Sequence, residues 1–170
     1  MEMKQRQQAQ RQATRPNLNP PRALAWAWLI AGFLGFLDAA YLSIEHFRNA
    51  TPHCFLIQGC DIVTTSRYSA FWGIPVALLG ALYYCAIIIL SYAYLDSESP
   101  RIHKIIIPFS FAGFFASLYF VYLQFFVIRA WCIYCIGSAL SSTALFVVSL
   151  IALTLRHRLA SDLSSAPKKA

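Results

Sequence analysis

The fold is decided by residues 131–155, WCIYCIGSALSSTALFVVSLIALTL, in which a CxxC pair, Cys132 and Cys135, is followed by a long apolar run. A helix needs about 20 such residues to cross a bilayer. Because the two cysteines are three residues apart at a helix start, they share one face and lie close enough to form a disulfide. The positive N-terminal pole of the helix lowers the pKa of the first thiol. We therefore predict a dithiol pair at the mouth of a membrane helix.

Composition extends this prediction to the whole chain. Its 170 residues are 58% hydrophobic and 12% charged, whereas charged residues make up about 25% of an average soluble domain. Four stretches are apolar and long enough to span a membrane, at residues 23–47, 73–95, 102–128 and 132–155. We expect an all-α fold, an integral membrane four-helix bundle forming one domain at residues 23–156, with an extracytoplasmic loop between helices 1 and 2.

The two ends of the chain are polar and basic. Residues 1–22 are rich in Gln, Arg and Pro and have no apolar period, which predicts a disordered tail. We do not expect a cleaved secretory signal, because the apolar segment behind this tail is too long and no cleavage site follows it. Residues 157–170 are predicted to form a second tail.

Lysine and arginine predict the orientation in the membrane, because cytoplasmic segments retain positive charge. Most of the 14 such residues lie in the tails or between the second and third spans: Lys4, Arg6, Arg11, Arg15, Arg22, Arg101, Lys104, Arg156, Arg158, Lys168 and Lys169. We therefore expect a multi-pass protein of the cell (inner) membrane with both termini in the cytoplasm and the loop at residues 49–71 outside it. The net charge of +7 is a topology signal, and no nucleic-acid partner is expected without a folded basic face.

This orientation places four cysteines outside the cytoplasm, with Cys54 and Cys60 in the loop and Cys132 and Cys135 at the fourth helix. Thiols in that compartment can cycle through disulfides. Structural disulfides are one alternative, although a bridge across the two-residue CxxC gap removes little loop entropy. A zinc site is disfavoured because five residues separate Cys54 from Cys60, and no metal is expected. We favour a redox relay in which the two pairs exchange through mixed disulfides.

The final electron acceptor must be reachable from Cys135, which lies one helical turn deeper than Cys132. A lipid-soluble quinone of the ubiquinone or menaquinone type fits that depth. The aromatic residues near the site could sandwich a quinone ring. The alternative for each of them is a place in the aromatic belt at the membrane interface. These residues are Phe71, Trp72, Phe125, Phe126, Trp131 and Tyr134.

Asp38, Glu45 and His46 lie toward the outer end of the first span. An ionisable residue within a bilayer is a candidate functional residue. A proton route for quinol formation is one hypothesis for Asp38, and interfacial solvation or an interhelical hydrogen bond is the alternative.

Several motifs occur together in the second half of the first span and beyond: AYL at 40–42, GCDIV at 59–63, TSRY at 65–68, GIPVALLG at 73–80, YY at 83–84 and the CxxC at 132–135. With them the chain resembles the vitamin K epoxide reductase family, in particular its prokaryotic branch without a fused thioredoxin domain. The resemblance runs from about residue 40 through the fourth span.

The resemblance implies a role for each cysteine. Cys135 resembles the family cysteine that reduces the quinone, and Cys132 resembles its partner, which exchanges with the second loop cysteine, Cys60. Cys54 matches the first loop cysteine, which takes electrons from a thioredoxin-fold protein. Ser66 matches a loop hydroxyl that could hydrogen-bond a quinone oxygen, with capping of the loop's own backbone as the alternative.

Two positions bear on the substrate. Val76 and Ala139 stand where family members that bind vitamin K analogues have an Asn and a Tyr, and neither side chain can hydrogen-bond a quinone oxygen. Quinone reduction coupled to disulfide formation is therefore favoured over epoxide reduction. About fifteen residues follow Leu155, too few for a thioredoxin-like domain, so that a separate thioredoxin-fold thiol oxidase is the expected partner.

The sequence thus predicts a membrane enzyme, a quinone-dependent thiol–disulfide oxidoreductase that reoxidises its partner and supports disulfide bond formation. One alternative is a conduit that supplies reductant in the opposite direction. Another is a non-catalytic membrane protein whose cysteines form structural disulfides. The predicted contacts of the quinone are Ser66, Trp72, Trp131 and Tyr134.

Overall fold

A computed structural model describes residues 21–48, 50, 52, 59–97 and 99–165. Within this part of the chain, four helices are long and apolar enough to cross a membrane. The helices are α1 (Arg22–Phe47), the short α2 (Cys60–Thr64), α3 (Val76–Ser97), α4 (Pro100–Tyr122) and α5 (Ile133–Ser165), and a π-helical segment, Leu123–Ile128, continues α4. The predicted all-α membrane bundle is confirmed. The predicted tail at residues 1–22 and the cysteine at position 54 lie outside the described residues, apart from residues 21 and 22.

The apolar sequences of the long helices favour a lipid environment. Lipid cannot hydrogen-bond the backbone, so every N–H and C=O must be paired within the segment, as a helix does. Large apolar side chains are exposed along all of them, for example Ile30, Leu82, Phe115 and Leu140. Such a surface would be unstable in water and indicates contact with lipid acyl chains.

The bundle is closed by contacts of α1 with α3 and α5, and of α4 with α5 and, less extensively, α3. Aromatic and aliphatic side chains fill its core, among them Trp28, Tyr84, Ile87, Tyr94 and Leu145. Because lipid supplies no hydrophobic force between helices, close packing and interhelical hydrogen bonds hold them together.

Three interhelical hydrogen bonds illustrate this. The Trp28 Nε1–H donates to Ser149 Oγ at 3.1 Å. The Tyr84 hydroxyl donates to the carbonyl oxygen of residue 138 at 2.7 Å. Ser142 and Ser117 pair through their hydroxyls at 2.7 Å. They link α5 to α1, α3 and α4 in turn.

Consecutive long helices run in opposite directions. At one end of the bundle the Arg22 guanidinium donates to the Leu95 carbonyl at 3.1 Å, which joins the start of α1 to the end of α3. The opposite end carries α2 and the connector at residues 129–132, and therefore also the described cysteines of the loop and of the CxxC motif.

The second span begins three residues later than predicted, at Val76 instead of residue 73, because a β-hairpin precedes it. Strand β1 (Ala70–Phe71) pairs antiparallel with β2 (Ile74–Pro75). Trp72 and Gly73 form the turn with positive φ values of 51° and 80°, as a type I′ hairpin turn requires. The chain therefore reverses before α3 begins.

The fourth long helix begins at Ile133 instead of residue 132 and ends at Ser165, ten residues beyond the predicted end of the span. The sequence from 156 to 165, RHRLASDLSS, contains no Gly or Pro. Nothing in it stops a helix, so α5 continues into the segment that was predicted to be a tail.

Candidate functional site

Cys132 occupies the N-cap position of α5. Its carbonyl accepts a hydrogen bond from the Ile136 N–H at 3.0 Å, and its sulfur accepts one from the Cys135 N–H at 3.4 Å. This is the pattern of an N-cap side chain, with a thiol in place of the usual hydroxyl or carboxylate. The prediction that both cysteines lie on the helix is therefore corrected: Cys135 is helical, and the sulfur of Cys132 points at the N–H groups of the first turn.

These contacts change the acidity of Cys132. The hydrogen bond from the Cys135 thiol is the main reason why the pKa of Cys132 is lowered from its ordinary value, and the N–H groups of Cys135 and Tyr134 act in the same direction. Burial of Cys132 and the negative charge of the Asp38 carboxylate oppose this shift. A lower pKa raises the fraction of thiolate, which is the nucleophile in disulfide exchange.

Gln124 holds Cys132 from the other side. The Gln124 side chain is buried, with 3% of its surface exposed, and its Oε1 accepts a hydrogen bond from the Cys132 N–H at 3.1 Å. Gln124 lies in the π-helical segment, after which the chain turns at Arg129 in a left-handed conformation with φ 55°. Single π-helical turns are frequent at functional sites. Here the wider turn brings an amide oxygen to the backbone of the CxxC motif.

Gly59 brings the loop helix α2 against the connector at residues 129–132. A Cβ atom at this position would lie 3.1 Å from the carbonyl oxygen and 3.3 Å from the nitrogen of Trp131, and φ is +141°. Only glycine allows both this approach and this backbone conformation without strain. The next residue, Cys60, therefore enters the same buried cluster as Cys132, together with Val63 and Ala130.

The described cysteines differ in oxidation state. Cys60 is disulfide-bonded. Cys132 and Cys135 are free thiols, as is Cys85, which is half-buried in α3. Within the described ranges, no group of three or more His, Cys, Asp or Glu side chains could hold a metal ion.

Two of the predicted quinone contacts flank the cysteines. Tyr134 packs, partly buried, against the cysteine cluster, and its ring centroid lies 4.9 Å from that of Tyr41 at an interplanar angle of 40°. Trp131 is 41% exposed and meets the ring of Phe125 edge-on at 5.4 Å. These rings offer aromatic faces at the boundary between the loop and the bundle.

The other two predicted contacts are placed differently. Trp72 is 93% exposed at the hairpin tip, outside the buried cysteine cluster, and stacks on Phe71 with centroids 5.7 Å apart. The Ser66 hydroxyl donates to the Val63 carbonyl at 2.8 Å, which is the backbone-capping alternative. Its oxygen keeps the capacity to accept a hydrogen bond.

Asp38 lies against α5 just beyond the CxxC motif. A Cβ atom on Gly137 would be 3.6 Å from Asp38 Oδ1. The other carboxylate oxygen, Oδ2, is buried and has no hydrogen-bond partner among the described residues. An ionisable side chain is thus packed against the start of α5, the helix that carries the CxxC motif.

Gln124 is the site residue that the sequence patterns do not single out. An amide within the apolar run of the third span is the signal that could have identified it, because polar groups in a bilayer need a partner. The partner itself, a backbone N–H in the next connector, depends on the π-helical turn and is not visible in the sequence.

The described residues define a class of membrane protein with four helices long enough to cross a membrane, a dithiol pair at the start of one of them and a disulfide-bonded loop cysteine in the same buried cluster. The sequence matches the model of the vitamin K epoxide reductase family over residues 26–150. The chain belongs to this family, which confirms the resemblance carried by its motifs. Membership indicates a membrane thiol–disulfide oxidoreductase.

Proposed function

We propose that the protein passes electrons from a thioredoxin-fold dithiol protein, through Cys54/Cys60 and then Cys132/Cys135, to a membrane quinone. The observation that carries the proposal is the buried cluster shared by Cys60 and Cys132, which are 1% and 0% exposed. Two cysteines in one cluster can exchange with only local movement. A purely structural loop disulfide would not need to lie against a free dithiol pair.

Each step oxidises one dithiol and reduces one disulfide. The partner's dithiol reduces the Cys54–Cys60 disulfide. The Cys60 thiolate then attacks Cys132 of the Cys132–Cys135 disulfide, which releases Cys135, and Cys54 resolves the mixed disulfide. The Cys132/Cys135 dithiol finally gives two electrons and two protons to the quinone, which leaves as the quinol while the disulfide re-forms.

The residues around Cys135 fit a quinone as the acceptor. Cys135 is half-buried in the first turn of α5, at a depth that a lipid-soluble ring can reach. Trp131 and Tyr134 offer ring faces, and the unpartnered Asp38 carboxyl, when protonated, can donate a hydrogen bond to a quinone oxygen. We propose a quinone of the ubiquinone or menaquinone type.

The proposed orientation puts both termini in the cytoplasm and the cysteine cluster on the extracytoplasmic side of the cell (inner) membrane. Its support is the distribution of lysine and arginine, together with a bundle in which Cys60 and Cys132 lie at the end opposite to Arg22. The proposed organisation is a tail at residues 1–22, one four-helix domain at residues 23–156 and a second tail at residues 157–170, of which 157–165 continue α5. A partner outside the cytoplasm can then reach the loop.

Quinone reduction by the purified protein, with a reduced thioredoxin-fold thiol oxidase as electron donor, tests the proposal. We expect the donor to be oxidised and the quinone reduced, and both reactions to be lost in Cys60→Ala and Cys135→Ala. Cys85→Ala is the matched control, because this free thiol lies outside the cysteine cluster, and it should keep the wild-type rate.

Two other results would identify the alternatives. If quinol instead drives reduction of the oxidised partner, the protein is a conduit of reductant in the opposite direction. If Cys135→Ala has no effect on either reaction, the cysteines are structural.

A further inference from the structure

Asp38 packs against the start of α5 from the neighbouring helix α1. It lies nine residues before the end of α1 at Phe47, about 14 Å along the helix. On α5 it is level with Gly137, the fifth residue of that helix and about 6 Å from its start. The two residues are close neighbours, since a Cβ atom on Gly137 would be in van der Waals contact with Oδ1 at 3.6 Å.

Burying the Asp38 carboxyl in this position costs folding free energy. A residue with only a packing role would not need a carboxyl there. A buried polar atom without a hydrogen bond destabilises a protein, and a charged one does so more strongly. Asp38 Oδ2 is such an atom. No lysine, arginine or histidine of the described residues is among the groups that act on the Asp38 carboxyl, so no cation offsets the burial.

The groups that face Asp38 from the packed elements are all weak acids. They are Tyr84 of α3 and Cys132, Tyr134 and Cys135 at the start of α5, each close enough for the Asp38 charge to act on it. The Tyr84 hydroxyl is already used, because it donates to the carbonyl oxygen of residue 138 at 2.7 Å. The Tyr134 hydroxyl is engaged with the hydroxyl of Tyr41. The thiols are therefore the groups with protons to exchange.

We propose that Asp38 is the proton relay of the CxxC pair: its carboxylate accepts the proton of the Cys135 thiol when the pair is oxidised and passes it to a quinone oxygen. This inference rests on the proposed function for its last step. Cys135 is the donor because the Asp38 charge acts on it across the contact between α1 and α5 at Gly137, whereas the sulfur of Cys132 is directed to the N–H groups of the first turn.

Protons and electrons balance in this scheme. Oxidation of the dithiol forms one S–S bond, breaks two S–H bonds and releases two electrons and two protons. Both electrons go to the quinone, which becomes the quinol. One proton travels from Cys135 through Asp38, which returns to its carboxylate form, and the second is lost by Cys132 to water while the other quinone oxygen takes one from water.

The first test is an infrared difference spectrum between the dithiol and disulfide forms of the purified protein, without quinone. We expect a carboxyl C=O band that changes with the oxidation state, is absent in Asp38→Asn and is kept in Glu45→Gln. Glu45 is a matched control because it is half-buried, on the same helix and two turns farther out. A spectrum of Asp38→Asn identical to that of the wild type would overturn the inference.

The second test is single-turnover reduction of a short-chain ubiquinone analogue by the pre-reduced protein. We expect a loss of about 10²-fold in Asp38→Asn, the scale of a general acid–base contribution, and a change below about twofold in Glu45→Gln. Asp38→Glu should recover part of the rate. Equal losses in Asp38→Glu and Asp38→Asn, or no loss in Asp38→Asn, would overturn the relay.

These results separate the inference from the proposed function. If the wild type fails to reduce any quinone while the Asp38-dependent infrared band is present, the quinone assignment is wrong and the carboxylate still exchanges protons with the thiols. If the wild type reduces quinone and the band is absent, the proposed function stands and the relay is wrong.

Discussion

At the scale of single residues, Cys132 depends on hydrogen bonds from two directions. Its N–H donates to Gln124 Oε1 at 3.1 Å, and its sulfur accepts the Cys135 N–H at 3.4 Å. The first bond fixes the backbone, and the second orients the sulfur. The bond to Gln124 and a further hydrogen bond, from the Cys135 thiol to the Cys132 sulfur, can each be removed by substitution, which gives two predictions.

Replacing Gln124 by Met, which has a similar shape and no strong acceptor, leaves the Cys132 N–H buried and unpaired. We expect the free energy of unfolding to fall by about 1–3 kcal/mol and exchange between Cys60 and Cys132 to slow. Thermal melting in detergent and the rate of quinone reduction measure the two effects. Gln124→Glu keeps an acceptor oxygen and should lose less of both, and a Gln124→Met variant with wild-type stability and rate would contradict this role.

Replacing Cys135 changes the pH dependence of Cys132. The Cys135 thiol donates the hydrogen bond that is chiefly responsible for the lowered pKa of Cys132. In Cys135→Ala we expect this pKa to rise. When the pH is lowered, Cys132 should then lose its thiolate reactivity at a higher pH than in the wild type. In Cys135→Ser a hydroxyl donor remains, and the reactivity should persist to lower pH. Alkylation of the Cys132 peptide, followed by mass spectrometry across a pH series, checks the order, and identical profiles would contradict it.

The sequence is enough to recognise the CxxC cysteines as site residues, but it does not predict their contacts. The CxxC at the start of an apolar run is enough to predict a dithiol at a membrane boundary, because helix periodicity and the helix dipole are local. The N-cap position of Cys132 and the bond from Gln124 involve a connector and a π-helical turn. Both depend on how two helices meet, which no local pattern encodes.

At the scale of elements, the approach of α2 to the connector decides whether the loop and the CxxC can exchange. Gly59→Ala would place a Cβ atom 3.1 Å from the Trp131 carbonyl oxygen at a φ of +141°. We expect α2 to move away from the connector and the exchange of Cys60 with Cys132 to slow by about tenfold or more, since a displacement near 1 Å can cost about 10²-fold. Stopped-flow measurement of the exchange checks this.

Gly73→Ala is the control for backbone strain. Gly73 also has a positive φ, +80°, but a Cβ there meets nothing within 4 Å. Gly73→Ala should therefore strain the hairpin turn and leave the exchange rate within about twofold, on the scale of a local turn penalty. Equal slowing in both variants would show that strain, and not the contact with Trp131, limits the exchange.

The positions of the four spans follow from hydropathy, because lipid exposure demands long apolar helices whatever their packing. The β-hairpin before α3 does not follow from hydropathy. Its turn places Trp72, a bulky residue, at a φ of 51°, where Asn or Gly is the usual choice. Sequence patterns therefore predict the hairpin poorly and favour an early start of the helix at residue 73.

At the scale of the whole molecule, the account requires the cysteine cluster to face away from the cytoplasm. In a variant without the native cysteines, Arg67→Cys marks the loop end of the bundle and Ser161→Cys marks the opposite end, and both positions are exposed. We expect a membrane-impermeant maleimide to label residue 67 in intact spheroplasts and residue 161 only after lysis. The reverse pattern would contradict the proposed orientation.

The central claim is that Cys60 and Cys132 exchange electrons directly, and a trapped intermediate tests it most directly. In the double variant Cys54→Ser/Cys135→Ser, each of the two cysteines lacks its own partner, and Cys85 is the third remaining thiol. The account predicts a Cys60–Cys132 disulfide as the main cross-link when the purified protein is digested and mapped by mass spectrometry. Free thiols at both positions after mild oxidation, or a bridge from either of them to Cys85, would contradict it.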